Sequence, residues 1–290
     1  MARLSVTVRS VRRGACHGAS FAPDGKTVAR IGRNVGVWEV DPMRRLISAH
    51  PISHPSDIAY SPSGQLLAVK STSGESVVLD ATTLEVAHRL GGAEFGEGSG
   101  IAWADESSLV DGSWSGDLIL RDVRTGAIIL HETSHGGVSQ LVVDPERPAI
   151  VHTASHDEAE VILLRTCPLD RGDETVIASL PAGEVVSAIA VRGDLLAVAS
   201  HGHLEIRSIA TGAVLADRAI PISGTGFALV WRPGHDHLCA AGSGTFSVFD
   251  PDLHELWSEA DDLASAVAVS AEADLAVFGS WERSVVCTLA

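Results

Sequence analysis

Apolar and polar residues alternate along most of this chain in short runs, the period of a half-buried β-strand rather than of a helix. Val35 and Val37 flank a glycine, Leu204 and Ile206 a glutamate, Phe246 and Val248 a serine. Clusters of Gly, Pro, Asn and Asp bound such runs and read as turns. Two segments copy each other: Ser20-Phe-Ala-Pro-Asp-Gly-Lys-Thr-Val-Ala and Tyr60-Ser-Pro-Ser-Gly-Gln-Leu-Leu-Ala-Val. In both, a strand ends at an aromatic residue, turns through Pro and Gly, and returns as an apolar strand. Looser copies run from Trp103, Val143, Val191, Trp231 and Val269. With Phe21 and Tyr60 as the first two anchors, successive spacings are 39, 43, 40, 48, 40 and 38 residues. A four-stranded propeller blade occupies roughly 40–45 residues.

The pattern predicts an all-β chain folded as one seven-bladed β-propeller of four-stranded antiparallel blades. Approximate blades are 14–50, 51–92, 93–134, 135–181, 182–221, 222–260, and 261–290 together with 1–13. The seventh unit stops after its third strand, Ser284 to Leu289, while Leu4 to Arg9 forms a spare strand ahead of the first unit. That N-terminal strand is expected to complete the last blade, since pairing the two ends removes an exposed sheet edge. The long fourth spacing is assigned to an insertion from Arg165 to Glu184, with Asp173-Glu174 in a solvated charged loop.

At the Ala22-Pro-Asp-Gly and Ser61-Pro-Ser-Gly turns, at Val37-Trp38-Glu39-Val40, and at Leu79-Asp80, Arg121-Asp122 and Phe249-Asp250, the chain resembles the WD-repeat family over its whole length. The family's tetrad of loop His, strand Ser or Thr, turn Asp and strand Trp is incomplete in every unit. His54 and Ser71 match it in unit two, and His135, Ser155 and Asp157 in unit four. Trp38 alone keeps the tryptophan, and Arg121, Arg165 and Arg207 stand at its position elsewhere. A related propeller of quinoprotein or YVTN type has a similar blade pattern. The resemblance implies partner binding on the face that carries the inter-blade connections and the turns joining second to third strands.

Charge narrows the partners. With 21 basic against 37 acidic residues and a net charge of −16, the average surface repels a phosphate backbone, so neither nucleic acid nor an anionic membrane is expected to bind. Cys16, Cys167, Cys239 and Cys287 lie far apart with no C-x-x-C pair, which argues against a zinc knuckle or a disulfide framework. The N-terminal residues alternate and no run of about 18 apolar residues follows, so a soluble, cytoplasmic monomer is expected.

Aligning the second strands on the Ser or Gly that ends them places Arg33, Thr72, Trp114, His156, His201, Gly244 and Trp281 at one turn position. Arg33, Trp114, His156, His201 and Trp281 would form an amphipathic patch of the kind that anchors protein partners. The plainer alternative has each Trp folded back onto a neighbouring blade and each His as an ordinary polar turn residue. The glycine-rich stretch from Gly91 to Gly100 is either an adaptable ligand loop or a long linker.

Catalytic motifs are missing. Gly112-Ser-Trp-Ser-Gly116 has the outline of a nucleophile elbow with Trp114 where the nucleophile belongs, and Gly25-Lys26 lacks the spacing of a phosphate loop. His201-Gly-His203 and His156-Asp157 make too thin a ligand set to imply a metal, and His235-Asp-His237 reads as a solvated turn on the opposite face. No cofactor is expected. The leading expectation is a non-catalytic scaffold that binds a protein or peptide. The alternative is a propeller lyase or hydrolase using histidines and carboxylates near the central channel. A third reading is a recognition domain working beside a signalling or defence enzyme.

Overall fold

The computed structural model describes residues 4–91, 98–133, 138, 140–144, 149–156, 159–166, 174–181, 184–200, 202–220 and 227–290. Its 28 strands form seven four-stranded antiparallel sheets. Six sheets use consecutive strands. Blade one is Gly18–Phe21, Thr27–Ile31, Val35–Val40 and Met43–Ala49; blade two is Pro55–Tyr60, Leu66–Ser71, Ser76–Asp80 and Val86–Gly91. Blade three is Gly98–Trp103, Ser108–Ser113, Asp117–Asp122 and Ile128–Thr133. Blade seven runs Ala264–Val269, Leu275–Ser280, Arg283–Leu289, with Val6–Arg13 as its outer strand. The fold is a seven-bladed β-propeller whose N-terminal strand closes the last blade.

The closing strand pairs from Val6 opposite Leu289 to Arg13 opposite Arg283, with a register shift between Val8 and Ser10. Ser5 and Ala290 exchange backbone hydrogen bonds of 2.7 and 2.9 Å beyond its end. The strand thus begins and ends later than residues 4–9, because the ladder continues until the chain leaves for blade one. The segment from Arg165 to Glu184 is also not all loop. Glu174–Ser179 is the outer strand of blade four, pairing with Ala159–Thr166, so Glu174 sits in a sheet. Asp173 lies outside the described residues.

Burial follows position within a blade. The second and third strands are covered by neighbouring blades on both faces, and Leu67, Ala68 and Val69 are wholly buried. The outer strand Val86–Gly91 has only its blade on one side, and half of its residues are exposed. Among the described residues, seven apolar clusters fill the ring, each shared by two consecutive blades. The layer between blades one and two has twelve buried members; that between seven and one, where the ring closes, has five.

The aromatic anchors of the repeat lie at these junctions. Trp103 donates its indole N–H to Ala59 O of the previous blade at 3.0 Å, and Trp231 does the same to Ala190 O at 3.2 Å. Each buries a large ring while satisfying its one polar group. Inner strands are sheet edges, so their outward N–H groups need partners too. Ser20 accepts from Tyr60 N at 3.1 Å, and Asp57 from Ile101 N at 2.9 Å. In the Pro-Ser-Gly turn, Gly64 has φ +74°, the left-handed region that other residues avoid, and a Cβ there would press on Pro23 of blade one. Among the described residues no helix is long and apolar enough to cross a membrane.

Candidate partner-binding cleft

Alternating hairpins put the turns between first and second strands, and between third and fourth, on one face of the disk. The other face collects the turns between second and third strands and the connections between blades. On that second face Arg33, Thr72 and Trp281 come from second-to-third turns of blades one, two and seven, while His17, His50 and His54 come from connections. They line a cleft of about 580 Å³. A second cleft of about 440 Å³ shares Gly32, Arg33, Asn34 and Trp281 with the first and extends past Trp38 to Arg45 and Ser48. Together they run from the loop face toward the outer strand of blade one.

Three of the aligned turn residues therefore meet in the first cleft, and two of them, Arg33 and Trp281, line both clefts. Trp281 is 56% exposed, its ring 4.0 Å from that of His17 and tilted by 48°. Trp114 is 53% exposed and lines neither cleft. Neither tryptophan is folded into the core. His156 ends a strand of blade four, but its side chain lies outside the described residues, as does the whole of His201. The stretch from 92 to 97 lies outside them as well.

Arg30 forms the floor of the narrower cleft. It is 4% exposed, and its guanidinium sits 4.9 Å from the centre of the Trp38 ring. Its Nη2 has one long contact, 3.5 Å to Gly14 O, while Nε and Nη1 are buried without a hydrogen-bond partner. The tryptophan that resembles the WD-repeat tetrad thus backs a buried arginine. Nor do His54 and Ser71 act as a tetrad pair: Ser71 donates to Ser53 O at 2.6 Å, and His54 takes φ 48° at the cleft wall. His17 Nδ1 is also buried and unpartnered, and burial holds its pKa below the usual histidine value, which favours the neutral ring. His50 Nδ1 lies 3.2 Å from Arg33 O and braces that turn.

One junction further round, a second buried cation is fully engaged. Lys70 of blade two, 1% exposed, bonds the Asp111 carboxylate of blade three, which also accepts from Ser76 Oγ at 3.0 Å. Asp57 stands opposite Lys70 in the ladder. Burial pushes its pKa up to about 6, although backbone N–H groups of Ile101 and Ile58, and then Lys70, oppose the rise. Repeat spacing and turn alignment do not single out Arg30, Lys70 or Asp111. Their signal was a charge inside an otherwise apolar strand, as in Leu66-Leu-Ala-Val-Lys70 and Leu109-Val-Asp111.

Other groups of titratable residues stand apart from the clefts. Asp250, Asp252 and His254 bring ligand atoms within 4.8 Å of one another in the third-to-fourth turn of blade six. Asp250 there accepts from the backbone N–H groups of Asp252 and His254, at 3.0 and 2.8 Å, and so caps the turn. His203 pairs with Asp217 at 2.9 Å on the outside of blade five, and that hydrogen bond raises its pKa. His235 and His237 stack at 5.9 Å on the face opposite the clefts. No protein-family model matches the chain, and no curated protein matches it at significant similarity.

Proposed function

We propose that this propeller is a binding scaffold whose partner, a peptide or a segment of a protein, occupies the cleft across blades seven, one and two. The observation that carries the reading is Trp281, a large ring left more than half exposed above an open groove and beside Arg33. Solvent-exposed aromatic and arginine side chains at the centre of a rigid concave surface are the residues that most often dominate binding energy. Loops on a disk held by seven apolar layers suit recognition, because they vary without disturbing the core. Buried, unpaired thiols at Cys16, Cys239 and Cys287 accord with a reducing, cytoplasmic setting.

The test is selection of a random twelve-residue peptide library, displayed on phage, on the immobilised full chain and on Trp281→Ala, after checking that both melt alike. Recovery of a shared motif by the wild type and its loss from Trp281→Ala is the expected result. Equal recovery by both would remove the cleft from the account. Absence of any enriched peptide would favour the enzyme reading.

A further inference from the structure

The geometry points to an acidic peptide segment as the occupant of this cleft, an inference that rests on the binding reading above. The lining of the two clefts contains Arg13, Arg30, Arg33 and Arg45, together with histidines, and no Asp or Glu. That is a local reversal in a chain with 37 acidic and 21 basic residues. Several other arginines are neutralised where they stand: Arg89 by Glu75, Arg232 by Asp274, Arg207 by Glu205, Arg283 by Glu259 and Asp261. None of the four cleft arginines pairs with a carboxylate among the described residues.

Arg30 gives the strongest indication. A guanidinium cannot shed its charge, and burying it without a carboxylate or a full set of hydrogen bonds is costly. Its Nε and Nη1 are unpartnered at the floor of an open groove, so an acceptor brought by a partner would complete it. Carboxylates match the guanidinium fork in two-point contact. The groove is also partly apolar, with Trp281 where the two clefts join, Trp38 in the lining of the second and Arg45 on the outer strand of blade one. An extended chain carrying acidic residues and an apolar anchor fits that sequence of groups better than a compact anion does. A long polyanion is disfavoured because the net charge of −16 opposes its approach, whereas screening over about 10 Å leaves a short segment to the local arginines.

The same phage selection tests this by the charge of the recovered peptides, with Arg33→Glu added. Arg124→Glu serves as a control that changes net charge equally, from a third-to-fourth turn of blade three on the opposite face. Wild type and Arg124→Glu are expected to recover peptides enriched in Asp and Glu over the input library, and Arg33→Glu to lose that enrichment. A synthetic copy of one recovered peptide should bind Arg30→Met and Arg33→Glu at least about tenfold more weakly, Arg124→Glu within about twofold, and weaken with added sodium chloride. Neutral or basic peptides that still depend on Trp281 would overturn the acidic inference and leave the scaffold reading standing. No enriched peptide would overturn both. Displacement of the peptide by inorganic phosphate at submillimolar concentration would also overturn it, because the cleft would then be reading a phosphate.

Discussion

Two junctions of this ring each bury a cation, and they treat it in opposite ways. Between blades two and three, Lys70 meets Asp111, which is held in turn by Ser76, and Asp57 lies close by. Between blades seven and one, Arg30 has a tryptophan face, the Cys16 thiol within reach and one long carbonyl contact, but no carboxylate among the described residues. The first arrangement completes its own hydrogen bonding and fastens two blades. The second leaves donors unused at the floor of a cleft. A buried charge answered from within the chain is architecture; one left unanswered beside an opening still has donors to offer.

The largest expected effect concerns the ring closure that frames Arg30. Deleting residues 1–9 removes half of the outer strand of blade seven and uncovers Cys287 and Leu289, both wholly buried. The loss should reach about 5 kcal/mol or more, enough to abolish a monomeric folded state, as size-exclusion chromatography and circular dichroism would report. An unchanged monomer would mean that the thin apolar layer at that junction closes the ring unaided.

Next in size is Lys70→Met, which strands the Asp111 carboxylate in the interior. Urea unfolding should show a loss of about 3–5 kcal/mol. Asp57→Asn tests the same junction by pH. Because the folded pKa is raised to about 6, the folded state binds more protons than the unfolded chain between pH 4 and 6, so stability falls as pH rises through that window and stays low above it. Lys70 and Asp111 are the charged groups facing it. Wild type should therefore gain about 1–3 kcal/mol relative to Asp57→Asn on going from pH 7.5 to pH 5, read as melting temperatures at both values. Smallest of all is Trp114→Ala. That side chain is exposed and outside both clefts, so stability should move by less than about 0.5 kcal/mol and the phage-selected peptides should not change. Loss of binding there would extend the site across blade three.

The ring was legible in the sequence because its signals repeat. Proline-glycine turns after Phe21 and Tyr60 recur at blade length, and the alternation of Val35, Val37 and their counterparts assigns strands without tertiary information. Closure by the N-terminal strand followed from counting. The limits of that strand did not, because its length is set by how far Arg283–Leu289 continues to offer partners. For the same reason the charged stretch after Arg165 concealed the strand Glu174–Ser179, whose pairing with blade four outweighs its polar composition. Of the candidate site, turn alignment placed Arg33 and Trp281 on one face, since equivalent turns must share a face. That they share a cleft, and that Trp114 does not, depends on which blades are neighbours and how the connections fold over them. Arg30 and Lys70 occupy similar apolar strands, and only the neighbouring blade separates a paired charge from an unpaired one.

The most direct test of that distinction is to replace Arg30 with methionine and unfold it in urea beside wild type and Lys70→Met. Methionine fills much the same volume with no charge to satisfy, and exchanging an unpaired buried cation for an apolar group should be neutral or stabilising by about 1–2 kcal/mol. Arg30→Met is expected to be at least as stable as wild type while its binding of the selected acidic peptide collapses. A loss of stability on the scale of Lys70→Met, with peptide binding retained, would make Arg30 an architectural residue and contradict that expectation.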